Sequence, residues 1–269
     1  MQLSHRKNRF PMWLKYSIAV YALSAIPWWL MLRPGSADSA WVYLVMLTPA
    51  LAALLFGLLK KHRLKCIACW LGDMRFWLAA LSLPLLVEAL TVMVAMFLQL
   101  GDFNSTIFNI GPRQAINEAI RLPFRITAGS PVGAIFHLLV SGAVAAALNF
   151  PFAVAEELGW RGTLHLQCTA QFGFLKGAVL VGLVWGVWQV PTMIANENFS
   201  NDSLLGTFAK TVMLAIALSI VLGYLYEQSG SIWVPSLLRA ALDAVHGVHR
   251  VALVEKGNAL LIEVLWVGL

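Results

Sequence analysis

The feature that most constrains this chain is a series of apolar runs, each close to twenty residues long. They lie near 12–32, 40–59, 76–100, 131–153, 174–194, 207–226 and 231–250. About twenty residues is the length at which an α-helix crosses the ~30 Å hydrocarbon layer of a bilayer. A helix at the surface of a soluble protein would break such a run with a polar stripe every three or four positions. In lipid, a helix also satisfies its own backbone hydrogen bonds, which an open strand cannot do. The sequence therefore predicts an all-α, polytopic transmembrane bundle of seven or eight helices.

Composition agrees. Charged residues make up 12% of the chain, against about 25% in soluble domains, too little to cover a water-facing surface. The eleven Trp suit a protein with two water–lipid interfaces, where amphipathic rings concentrate. No internal repeat or low-complexity tract divides the chain, so 1–269 reads as a single membrane domain. It comprises three N-terminal spans over 12–100, a core over 131–250 and a weaker apolar segment at 251–269. That last segment carries Glu255, Lys256 and Glu263 and reads as a short last span, a re-entrant piece or an interfacial helix.

Lysine and arginine set the expected orientation. The N-terminal tail has Arg6, Lys7 and Arg9, with Lys15 near the edge, and the second loop has Lys60, Lys61, Arg63, Lys65 and Arg75. The first loop, between them, has Arg33 with Asp38 near it. The tail and second loop are thus expected in the cytoplasm, with the 154–173 connection on the same side. The 101–130 connection falls outside. Its Arg113, Arg121 and Arg125 are spaced by apolar residues, which suggests an amphipathic helix lying on the surface. The N-terminal basic stretch and apolar run, with Ala22-Leu23-Ser24-Ala25, resemble a secretory signal and are read as an uncleaved first span.

Several function classes drop out. The net charge of +6 sits at membrane edges, so it is no nucleic-acid signature. Three Cys make no disulfide framework. Cys66 and Cys69 form a lone C-x-x-C, and a structural zinc needs about four ligands. The sequence holds no pair of broken helices in matching halves and no ring of like charges, which speaks against a transporter or a channel.

Ionisable residues inside membrane helices are costly and are functional candidates by default. Glu156, Glu157 and Arg161 close the fourth apolar run, in Ala155-Glu156-Glu157-Leu158-Gly159-Trp160-Arg161. Glu157 and Arg161 are four apart and share a helix face, whereas Glu156 points about 100° away. One carboxylate is neutralised while the other stays free. A free carboxylate in an apolar site can act as a general base on water. An ion-pair cap at the membrane edge explains the same spacing. Gln189, in Trp185-Gly186-Val187-Trp188-Gln189-Val190-Pro191, is a polar residue in an apolar helix, either interhelical glue or part of a site. Gly173, Gly177, Gly182 and Gly186 give that helix a small-residue surface for close packing. Arg239 and Asp243 are again four apart and able to pair. His246 and His249 follow on the same helix. With Asp243 alone they fall short of a metal shell unless Glu156 joins them. His137 and His165 stand in no motif. No cofactor or metal is expected.

At three of these segments the chain resembles the CPBP family, the CAAX-protease and bacteriocin-processing (Abi) intramembrane peptidases. The family's first motif, Glu-Glu-x-x-x-Arg, stands complete as Glu156 to Arg161, followed by Gly162. Its second, an aromatic residue and three others before His, is matched by Trp185 with Gln189 at the histidine position and Pro191 after it. Its third, His-x-x-x-Asn or Asp behind a Ser-Ile-Trp lead-in, is matched by Ser231-Ile232-Trp233, with Arg239 and Asp243 at the motif's ends. The resemblance covers roughly 131–250 and implies a CPBP-type four-helix core. It also implies that Glu156, Glu157, Arg161, Gln189, Arg239 and Asp243 occupy the family's site positions. Members are thought to activate water with a Glu and two His, with or without a metal. Both His positions are changed here. Gln does not take up a proton near neutral pH, and Arg stays protonated and repels a cation. The expectation is an integral membrane protein of a bacterial inner membrane, its N-terminus cytoplasmic and its catalytic site degenerate. It would act by binding a membrane-protein partner as a scaffold, an assembly or immunity factor, or a complex subunit. The alternative is an active CAAX-type endopeptidase that uses Glu156 as general base, with His246 or His249 in support.

Overall fold

The computed structural model describes residues 10–33, 41–59, 71–97, 101–103, 131–195 and 204–255. The basic tail, the 60–65 loop, the Cys66/Cys69 pair, the three arginines of the 104–130 stretch and residues 256–269 lie outside them. So do the side chains of His137, His246 and His249.

The apolar runs form helices. In chain order these are α1 (Met12–Met31), α2 (Trp41–Leu59), α3 (Met74–Phe97), α4 (Pro131–Gly159), α5 (Leu166–Phe172), α6 (Phe174–Ala195), α7 (Leu204–Ser229) and α8 (Trp233–Ala252). Two three-residue strands, β1 (Gly101–Phe103) and β2 (Leu253–Glu255), pair antiparallel. Seven of these helices have 19 residues or more, as the apolar runs predict. By length and composition, α6 and α7 each suffice to cross a membrane, and α2 and α3 contain shorter apolar stretches.

One boundary differs from the sequence reading. Helix does not stop near residue 153 and give way to a connection over 154–173. α4 runs on to Gly159, passes through a π-helical turn, Trp160–His165, and continues as α5 to Phe172. The π-turn is buried at Trp160, Arg161, Gly162, Leu164 and His165. A π-turn inserts an extra residue into the helical repeat and redirects the side chains that follow, and such turns recur at functional sites. The reversal comes instead at Gly173, whose φ of 78° is a left-handed geometry that only glycine adopts freely. Glu156 therefore lies about sixteen residues, roughly 24 Å of helix, in from that turn. Trp13 of α1 packs edge-on against Phe172 beside it, ring centroids 6.3 Å apart.

The glycines of α6 also divide differently. Gly173 is the turn itself, and Gly177 packs on the backbone of α5. Gly182 and Gly186 pack on α7: a Cβ on Gly182 would stand 2.5 Å from the Ile216 Cα, and one on Gly186 2.8 Å from the Val212 Cα. The α6–α7 pair is thus in backbone contact, the close approach that small residues give in membranes. Elsewhere α2 packs on α1 and α4, while α8 packs on α3, α4 and α7. The interior is aromatic. Trp160, Trp185 and Trp188 are almost wholly buried, and Trp160 meets Trp188 edge to face at 5.3 Å.

Candidate functional site

α4 supplies two adjacent acids, and the helix carries them to different surroundings. Glu157 receives a hydrogen bond from Arg161 Nη1 at 2.7 Å, and both side chains are fully buried. The expected i, i+4 pair is present inside the protein, not as a cap at its edge. Glu156 is also buried, yet neither of its carboxylate oxygens has a hydrogen-bond partner among the described residues. Among the described residues the cation that approaches it is Arg239, whose Nε stands 3.9 Å from Glu156 Oε2.

α8 brings in Arg239 and Asp243. Ser231 lies just before this helix: its Oγ accepts from the Trp233 N–H at 3.2 Å, satisfying one of the first-turn donors that lack a partner within the helix. Arg239 Nη1 then donates to Asp243 Oδ1. The guanidinium therefore bonds one acid while approaching a second. α6 adds Trp185, whose ring lies against both arginines, 4.9 Å from the Arg161 Cζ and 5.2 Å from the Arg239 Cζ. An aromatic face attracts each cation and keeps the two guanidinium groups on its own surfaces.

Glu156, Gln189, Arg239 and Asp243 all line one cavity of about 180 Å³, with Trp188, Thr192, Val42, Val45 and Met46. The three sequence segments thus converge. Two contributions were not visible in the sequence. The first is α2, which supplies the apolar wall. The second is a hydroxyl chain holding Trp188. Its Nε1–H donates to Ser24 Oγ at 2.8 Å, and Ser24 Oγ is 2.6 Å from Thr48 Oγ1, which bonds the Val45 carbonyl at 2.8 Å. The Val45 carbonyl would ordinarily accept from residue 49, but that residue is Pro49, which has no N–H. Thr48 replaces the missing donor, and the α2 wall is tied to the tryptophan. No local spacing announces such a contact, because Trp188 and Ser24 are 164 residues apart.

His165 also acquires a partner. Its Nε2 lies 3.1 Å from Glu227 Oε1, and its ring sits over Gly223, where a Cβ would come within 2.6 Å of the imidazole. Neither residue lines the cavity.

The donors that the described residues bring to the cavity do not suit a metal ion. They are Glu156, Asp243 and an amide around a permanent guanidinium. Among the described residues no three His, Cys, Asp or Glu side chains are grouped as ligands.

Two buried acids, Glu156 and Glu157, the buried Arg161 and the partly buried Arg239 thus surround a tryptophan-lined cavity within a bundle of apolar helices. Residues 131–245 match the family description "Type II CAAX prenyl endopeptidase Rce1-like". The CAAX prenyl protease 2 of Methanococcus maripaludis is 30% identical over 50 residues, 19% of this chain and 18% of that protein. The chain thus aligns with less than a fifth of the length of this curated relative. Over residues 131–245 the chain is similar to CAAX-protease-like membrane proteins.

Proposed function

We propose that this chain is a catalytically degenerate CPBP-type protein that binds a membrane-protein partner. The observation that carries the reading is Arg239. At a motif position where the resemblance expects a histidine, a guanidinium bonds Asp243 and stands 3.9 Å from Glu156. Hydrolysis of an amide needs a base to take a proton from water and an acid to return one to the leaving nitrogen. Arginine stays protonated and does neither, and Gln189 has no titratable proton. Gln189 is able to orient a water or donate to an oxyanion, but that does not replace the acid.

One observation favours the second reading, an active endopeptidase of the CAAX type. Glu156 is buried, lines a cavity and has no hydrogen-bond partner among the described residues, the setting of a general base. The test is to reconstitute the protein and offer it prenylated CAAX peptides, with Glu156→Gln beside it. The degenerate reading expects no cleavage by either. Cleavage by the wild type that Glu156→Gln abolishes, with the variant still folded, makes the chain a protease. We place the protein in a bacterial inner membrane with the N-terminal tail and the 60–65 loop in the cytoplasm. Labelling of cysteines introduced there, from outside intact cells, would reverse that orientation.

A further inference from the structure

The cavity is two-sided. Val42, Val45 and Met46 of α2 give it an apolar wall, and Trp188 adds an aromatic face. Glu156, Asp243, Gln189 and Thr192 give it a polar end. It lies between helices that find their packing elsewhere: α2 against α1 and α4, α8 against α3, α4 and α7. Its volume of about 180 Å³ is roughly six times a liquid water's ~30 Å³ share. That suits one inserted side chain, not a helix.

Charge decides which side chain. Glu157 and Arg161 neutralise each other. Among the described residues, two carboxylates at the cavity, Glu156 and Asp243, face one guanidinium, Arg239, so with both acids ionised one negative charge is left over. Glu156 is 1% exposed and neither of its oxygens is bonded among the described residues. An uncompensated buried charge is among the most expensive features a membrane interior holds. A ligand bearing one positive charge removes it. A ligand carboxylate would double it, and a hydroxyl would leave it in place.

The shape of the cavity selects among cations. Lysine carries a compact ammonium with three donors on a flexible four-carbon stem, and such stems lie along apolar surface while the head reaches polar groups. Here the stem meets Val42, Val45 and Met46. The head meets Asp243, whose side chain is 28% exposed, along with Gln189, Thr192 and the Trp188 face. Resting on the partner-binding reading above, we propose that the cavity is a socket for a primary alkylammonium, the side chain of a lysine within a membrane segment of the partner.

The experiment uses the full chain in detergent with n-pentylammonium as probe, and n-pentanol and pentanoate as controls of equal length. Thermal shift and calorimetric titration read binding. Pentylammonium is expected to bind saturably and raise the melting temperature, whereas pentanol and pentanoate do not. Glu156→Gln is expected to weaken the amine by about tenfold or more, and Val45→Trp, which fills the cavity from the apolar side, to abolish binding. Equal binding of pentanol, or an unchanged affinity in Glu156→Gln, overturns the proposal. Because either variant carries a folding risk, a third arm keeps the wild type and asks what displaces the amine. A polyleucine transmembrane peptide with one central lysine is expected to do so, and the same peptide with methionine there is not. Displacement by phosphatidylethanolamine nanodiscs but not by the lysine peptide overturns the lysine assignment in favour of a lipid amine. The two readings fail separately. Cleavage of CAAX peptides with amine binding intact sinks the degenerate reading alone, and absence of both cleavage and amine binding sinks the socket alone.

Discussion

The Nε of Arg239 stands 3.9 Å from Glu156 Oε2, too far for a hydrogen bond and close enough for an ion pair. The same guanidinium is bonded to Asp243. Removing it leaves two acids facing each other without a cation. Truncating one partner of a buried pair costs about 3–5 kcal/mol, and the partial exposure of Asp243, 28%, places this one toward the lower end. Arg239→Ala should lower the melting temperature in detergent by several degrees. Adding Asp243→Asn should restore part of the loss. A melting temperature unchanged in Arg239→Ala would mean that the acids are solvated or protonated without it.

The Glu157–Arg161 pair should behave more severely, because both side chains are fully buried. Either single truncation, Glu157→Gln or Arg161→Met, leaves a lone charge or donor set in the interior, again at about 3–5 kcal/mol. The double variant should be more stable than the sum of the singles implies. A double-mutant cycle in thermal or denaturant unfolding measures this, and a coupling near zero would show that the pair does not act as a unit.

Ser24 should matter through Trp188. Ser24→Ala strands the indole Nε1–H, which donates to Ser24 Oγ at 2.8 Å. A buried donor left unpaired costs roughly 1–3 kcal/mol. Trp188→Phe removes the donor, so Ser24→Ala should cost less in a Trp188→Phe background than in the wild type. If it does not, the hydroxyl chain contributes packing and no hydrogen bonding.

Two glycines flanking one stretch of α6 should respond for opposite reasons. Gly173→Ala meets nothing within 4 Å, so its cost is that of a backbone conformation essentially reserved for glycine, φ 78° with ψ 169°, about 1–3 kcal/mol. Gly182→Ala places a Cβ 2.5 Å from the Ile216 Cα. That requires two helix backbones to separate, typically 1–3 kcal/mol or more, and should be the larger loss. The comparison is made by unfolding both variants in the same detergent. Equal losses would mean that α7 yields freely.

Much of this protein was legible in its sequence because lipid imposes a simple length rule. Apolar runs of about twenty residues became helices at close to the expected places. Charge at i, i+4 became an ion pair for both Glu157 with Arg161 and Arg239 with Asp243, since one helical turn brings such residues together whatever surrounds them. The family motifs located Gln189 in the same site. The end of the fourth helix was misplaced, because Glu156, Glu157 and Arg161 read as a polar boundary. They are polar residues in mid-helix, and the π-turn after them gives no compositional signal.

What only the tertiary structure decided is which groups meet. Whether Glu156 is bonded, that α2 walls the cavity, that Ser24 and Thr48 hold Trp188, and that Trp185 lies against two arginines all depend on contacts between residues up to 164 positions apart. Periodicity reports the environment of one helix face. It does not name the residue opposite, because many helix rotations bury the same apolar surface equally well. The sequence by itself determined a helical membrane-type bundle with a row of costly charges. The packing of α2, α4, α6 and α8 decided that one of those charges, Glu156, faces a cavity with no hydrogen-bond partner among the described residues.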